Sequence, residues 1–319
     1  MEPASYKILV IDISGHALLA VDGLSGEILA ELPYDPDFTP TGIALTADYK
    51  KAYLPAVNQQ SEQGGLWAVN LDALKIYRLP LELPPPARFI LAPDDSKAYL
   101  VTPDSVFYQV NITSLEQNCW GQSAAKSLCS GLTAGPERIY SVWEHDAGGT
   151  LLVLDNQGIF QYDWNFPGTP TNIARDRHGR VYIPFTSNLF AGEGVIIIDE
   201  TNSGQPYNII TTQCPLHKKN LKTYPCYVAL SPDEETAYVV NEDSASVTVI
   251  DAAEKNIAGW IPVGRSISCL HILPSGKFAL AASHMFGDLA MIDLVNGKLL
   301  SFTQTQRELS GYMAVVPAV

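Results

Sequence analysis

The sequence predicts an all-β fold: a seven-bladed β-propeller of four-stranded antiparallel blades, closed by its own C-terminal strand pairing in the first blade. Three observations carry this. Between Tyr224 and Gly264 four short apolar runs, Tyr227–Leu230, Ala237–Val240, Val247–Ile250 and Ile257–Val263, are separated by turn residues such as Pro232-Asp233. Val, Ile and Tyr dominate them, as pleated strands prefer. An apolar run ending in Asp or Asn then recurs along the whole chain. Finally, the two ends complement each other: three strands at the start lack a first strand, and one strand at the end lacks a blade.

The recurring run ends at Asp22, Asn70, Asn111, Asp163, Asp199, Asp251 and Asp293, in steps of 36 to 52 residues. Self-similarity at such a period marks a repeat architecture, with loops absorbing the variation. Seven acidic or amide ends can be read as ligands or as turn chemistry. Their Gly and Ser neighbours (Ser25-Gly26, Ser203-Gly204, Asn296-Gly297) favour the turn, because an Asx side chain bonds the backbone two residues on. The second strand repeats as well. Tyr53, Tyr99, Tyr182 and Tyr238 recur there, with Leu152 and Leu280 filling the slot in two other copies. A lone sheet of four short strands cannot bury both faces, so the units must stack around an axis.

In chain order, residues 6–34 supply three strands of blade one: Ile8–Ile13, Ala17–Val21 and Ile28–Leu32. Blade two spans 40–83, with the polar loop Gln59–Gly65, and Pro84-Pro85-Pro86 stiffens the link to blade three. Blade three ends near Trp120, and 121–136 is read as an excursion. Blade four, about 137–165, is read as Ile139–Trp143, Leu151–Leu154 and Ile159–Tyr162 with no clear fourth strand. Blade five spans 169–213, with a long loop at Phe185–Gly194 that offers Leu189 and Phe190 to solvent. A local basic stretch, His217, Lys218, Lys219 and Lys222, precedes blades six (224–264) and seven (266–305). Gly311–Val319 is the leftover strand. Placed innermost in blade one, it joins the frayed ends and hides two sheet edges.

Composition bounds the function. All 319 residues belong to one domain, because one unit repeats throughout. A net charge of −14 argues against nonspecific nucleic-acid binding, which needs a basic stripe, and against anionic membranes. The longest apolar stretches are strand-sized, so no membrane insertion is expected. No signal peptide is written into the opening residues, which implies a cytoplasmic protein; the alternative is an extracytoplasmic one whose chain is a processed mature form. The cysteines leave two states open. Cys119/Cys129 and Cys214/Cys226 have spacings that permit loop-closing disulfides in an oxidising compartment, and all five are thiols in a reducing one. Cys214, His217 and Cys226 fall one ligand short of a zinc site.

In a propeller, loops entering the first strand share a face with loops joining strands two and three. On the strand assignment above, Arg88, Asp155, Tyr227, Glu242, Asp243 and His284 gather there as a candidate ligand-binding pocket at the axis. Asp155, Glu242, Asp243 and His284 have the types for a divalent cation in the pore; solvated loop charge is the plainer reading, and no cofactor is predicted. His271 is read as a satisfied core histidine, His178 as a turn residue, and Glu144 and His145 as surface. No nucleophile elbow, Gly-rich phosphate loop or paired CxxC is present, so no catalytic residue is assigned.

The segments Leu230-Ser231-Pro232-Asp233, Ala237-Tyr238-Val239-Val240-Asn241, Val247-Thr248-Val249-Ile250-Asp251 and Ile261-Pro262-Val263-Gly264 resemble the YVTN-repeat family of seven-bladed propellers. The match is tight for blade six, looser for blades two, three, five and seven, and departs at blade four and the N-terminal part. The resemblance implies the fold more than an activity. Its members include surface-layer and periplasmic proteins, binding scaffolds and lactonase-like enzymes, and propeller subunits of quinone-dependent amine dehydrogenases are similar in layout. Three functions follow: a non-catalytic scaffold for a protein or peptide partner or a small ligand, a lactonase-like hydrolase or lyase using a cation, or an accessory propeller of a redox complex. The first is preferred, because large variable loops accompany the lack of a catalytic motif.

Overall fold

A computed structural model of the chain describes residues 6–23, 25–122, 127–187, 192–201, 207–212 and 222–317. Seven antiparallel sheets form a ring, five of four strands and two of five, the latter because the first strand of blades two and five is split. Blade six is Pro225–Leu230, Thr236–Asn241, Ser246–Asp251 and Asn256–Pro262 from the axis outward. Blade seven follows as Cys269–Ile272, Phe278–Ser283, Asp288–Asp293 and Lys298–Gln304.

The ring closes as the ends of the sequence require. Leu309–Pro317 pairs antiparallel with Tyr6–Asp12, from Tyr6 opposite Pro317 through Leu9 opposite Ala314 to Asp12 opposite Leu309. Blade one is completed by Ala17–Asp22 and Ile28–Pro33. Arg307, just before the closing strand, donates to Asp12 at 2.7 Å and to Glu31. Asp12 also accepts from Ser14 and the Gly15 amide. Burial pushes its carboxyl up, but Arg307 and these donors hold it below the usual carboxylate value.

The core lies between blades, not within them. Strand side chains alternate faces, so Leu9 and Ile11 pack toward blade two while Ile8 and Val10 pack toward blade seven. Such two-sided burial explains the near-continuous apolar runs. The ends of the third strands carry turn chemistry: Asp251 accepts from the Ala253 and Glu254 amides, both at 2.9 Å, and Asn111 and Asp293 do the same.

Blade four departs from the sequence reading by one strand. Its first strand is Leu128–Ala134, inside the supposed excursion; its second is Arg138–His145, its third Gly148–Asp155 and its fourth Phe160–Phe166. The seventh turn-capping end is therefore Asp155, 44 residues after Asn111 and 44 before Asp199, and Asp163 lies in a fourth strand. The second-strand tyrosine of this blade is Tyr140, whose hydroxyl donates to Glu200 of blade five at 2.7 Å. Arg138 and Tyr162 reach the same carboxylate at 2.7 Å each, joining blades four and five.

Cys119 is exposed on the outer strand of blade three, while Cys129 is buried on the innermost strand of blade four; both are free, as are Cys226 and Cys269. The pairing of Cys119 with Cys129 is thus not made, because blade four begins between them and carries them to different radii. Cys214, Leu189, Phe190, His217, Lys218 and Lys219 lie outside the described residues. A maleimide is expected to label Cys119 in the native protein and Cys129 and Cys269 only after unfolding; protection of Cys119, read by peptide mass mapping, would contradict this placement. Among the described residues, no helix is long and apolar enough to cross a membrane.

Candidate functional site

One face of the ring collects the loops between second and third strands and the loops that enter first strands. At blades six and seven these loops are tied together. The Glu242 amide donates to the Tyr224 carbonyl at 3.0 Å and the Asp243 amide to the Thr223 carbonyl at 3.1 Å. The Glu242 carboxylate lies 3.4 Å from His284 Nδ1 and accepts from the Ser266 hydroxyl at 3.3 Å. Ser268 holds the His284 amide at 2.9 Å. Behind them Arg265 pairs with buried Asp288 at 2.9 Å and lies over the Phe302 ring. Tyr224 is half-exposed, and burial, then Glu242, Asp243 and Glu144, raise its hydroxyl above the ordinary value. Glu144, at the end of blade four's second strand, borders the same mouth.

Below the mouth, first strands line the axis. Tyr227 and His271 face one another with ring centroids 6.4 Å apart. Burial pushes the Tyr227 hydroxyl up, drives the Cys226 thiol well above its usual value and takes Cys269 to about 12. Burial lowers His271 to about 4, against the opposing pull of its bond to the Met313 backbone. His271 is partly buried rather than a core residue, and it lines a cavity of about 310 Å³ at the far end of the axis with Tyr49 and Val315.

The sign of the His271 effect is fixed by linkage. Its folded value lies below the ordinary 6.5, so the unfolded chain binds the proton first and stability falls as pH drops from about 6.5 toward 4. Replacing His271 with Gln is expected to flatten the melting temperature across that window. An unchanged pH slope would contradict the lowered value of this ring.

Of the six residues assigned to the pocket, Glu242, Asp243 and His284 come together at the mouth and Tyr227 lines the channel in the same sector. Arg88 lies at the same end of the axis in blade three, with its guanidinium held by backbone. It sits on the first strand of blade three, donating to the Ala87 carbonyl at 2.8 Å and the Ser130 carbonyl at 3.0 Å, and so stitches blades three and four. Asp155 lies on the opposite face, where its carboxylate caps a turn through the Gln157 and Ile159 amides at 2.9 Å. The sequence puts it at the mouth only when blade four is read one strand out of step. The same shift hid Glu144 and His145, which end a second strand on the mouth face. Tyr224, Met285 and Phe286 also belong to this face, and no motif in the sequence marks them. Among the described residues, no three His, Cys, Asp or Glu side chains converge as a metal-ligand set.

On the far face a cleft of about 520 Å³ between blades five and six is lined by His178, Arg180, Asp199 and Asp251. Its charges are mutually engaged: Lys255 holds Asp199 at 2.7 Å, and Arg180 donates to the Ala252 and Glu234 carbonyls and to Asp176.

No family model and no curated protein matches the sequence. Solved structures do match in three dimensions. The periplasmic gluconolactonase of Pseudomonas aeruginosa superposes with a TM-score of 0.73 at 13% identity, covering 98% of this chain and 99% of that one. Hydrazine synthase of Kuenenia stuttgartiensis gives 0.70 at 16%, covering 89% and 91%. Apo AztD of Citrobacter koseri gives 0.67 at 13%, covering 98% of each. Identities this low show a shared architecture alone: the chain has the seven-bladed β-propeller fold.

Proposed function

We propose that this chain is a non-catalytic binding propeller that takes a protein or peptide partner on its mouth face. The observation that carries the reading is the hairpin tip of blade seven. Met285 is 62% and Phe286 51% exposed, directly after His284, and large apolar side chains held out at a hairpin tip are a recognisable mark of interaction surfaces. The groups along the axis beneath agree with binding rather than catalysis. Thiols with raised values are poor nucleophiles, and a histidine held near 4 is a weak base at neutral pH. The four free thiols among the described cysteines fit a reducing compartment, which supports a cytoplasmic location.

The test is size-exclusion and affinity capture of the tagged chain from its native host, beside the variant Met285→Ser/Phe286→Ser. A defined partner that co-elutes with the native sequence and is lost in the variant is expected. Recovery of a lone chain from both would count against a binding role.

A further inference from the structure

We infer that the partner recognised at the mouth is a basic segment, presenting a lysine or arginine beside an apolar side chain, and that it docks across Tyr224, Glu242, Asp243, His284, Met285 and Phe286. This rests on the binding role just proposed and adds the chemistry of the partner.

The surface is continuous through direct contacts. The Tyr224 carbonyl accepts from the Glu242 amide, the Glu242 carboxylate meets His284, and Met285 and Phe286 follow in the chain. Its apolar part is the Tyr224 ring, 41% exposed, with the two side chains of the tip. Its charged part is predominantly acidic: the carboxylates Glu242, Asp243 and Glu144 outnumber exposed Lys222, two residues before Tyr224. Among the described residues neither Asp243 nor Glu144 forms an ion pair, and the ion-pair partner of Glu242 is His284, charged only when protonated. Arg265, the nearest arginine behind this surface, is committed to Asp288. An arriving cation would find carboxylates beside an exposed phenol ring, a combination that attracts ammonium and guanidinium groups through both charge and ring face. An acidic or phosphorylated segment would meet repulsion from the same carboxylates.

A second exposed apolar pair supplies a control. Ile159 and Phe160, 61% and 57% exposed, stand on the far face at the turn capped by Asp155. If apolar exposure alone mattered, they would bind as well as the tip.

The experiment is fluorescence polarisation with a labelled decapeptide of alternating Lys and Leu, and with its Glu/Leu counterpart, at low and at physiological salt. Saturable binding of the Lys peptide and none of the Glu peptide is expected. Met285→Ser/Phe286→Ser and Glu242→Gln/Asp243→Asn should each weaken it on the order of tenfold or more, as loss of a hot-spot pair does. Ile159→Ser/Phe160→Ser and the charge-matched pair away from the mouth, Asp163→Asn/Glu254→Gln, should bind like the native chain. Circular dichroism melts confirm that each variant is folded. Equal losses in the far-side variants would reduce the binding to bulk acidity and overturn the inference, as would binding that ignores both mouth variants. Failure to bind the Lys peptide, while the native-host complex still forms, overturns the inference and leaves the binding role standing; failure of both removes both.

Discussion

Truncation after Glu308 is expected to abolish cooperative unfolding. The deleted segment contributes Leu309, Met313, Val315 and Val316, all buried to within 8% exposure. At about 1.5–3 kcal/mol for each large apolar side chain, their loss removes on the order of 6–12 kcal/mol. A whole domain retains only about 5–15 kcal/mol, so the remainder has little left to hold it. The cut also uncovers the Tyr6–Asp12 edge and the Ile8, Leu9 and Val10 side chains that two core clusters share. A thermal melt followed by near-ultraviolet dichroism checks this, and an unchanged transition would mean that the ring closes elsewhere.

Trp143→Ala should be among the most destabilising single substitutions in the chain. Trp143 is fully buried, its indole N–H donates to Ser141 Oγ at 2.8 Å, and its ring meets Phe107 of blade three at 5.7 Å between centroids. Removing a buried tryptophan costs about 3–5 kcal/mol, through lost transfer energy and the cavity left behind. Ile159→Ala, at a side chain 61% exposed, is expected to shift the urea midpoint hardly at all. The contrast tests the corrected blade four, because the sequence reading put Ile159 in a third strand, where interiors lie. Equal shifts would restore that reading.

The fold was legible because its signals are periodic and two-sided. Third strands buried on both faces write continuous apolar runs, and the turn after each needs an Asx cap; six of the seven strand ends named from the sequence are third-strand ends in the structure. The complementarity of the chain's two ends was legible for the same reason, since an unpaired strand at each end is costly. Blade four misleads because its outer strand opens with a stretch, Ile159-Phe160-Gln161-Tyr162-Asp163, that imitates the third-strand pattern while Leu151–Asp155 carries the real one. Arg138-Ile139-Tyr140 matched the second-strand tyrosine pattern and would have corrected it. The candidate site inherited that error in one residue, Asp155, and missed Glu144 with it. Arg88 does lie at the mouth end of a first strand, but spacing does not show that two backbone carbonyls already hold it. Glu242, Asp243 and His284 were found because blades six and seven keep the repeat cleanly.

The placement of every mouth residue depends on a ring closed by the tail, and native-state hydrogen exchange of the full chain tests that most directly. The amides of 309–316 should be protected as strongly as those of Tyr6–Asp12 and of the second strand of blade six, Thr236–Asn241, because all three exchange only through global unfolding. Exchange of the tail within seconds, beside a protected Thr236–Asn241, would contradict the closed ring and the binding face built on it.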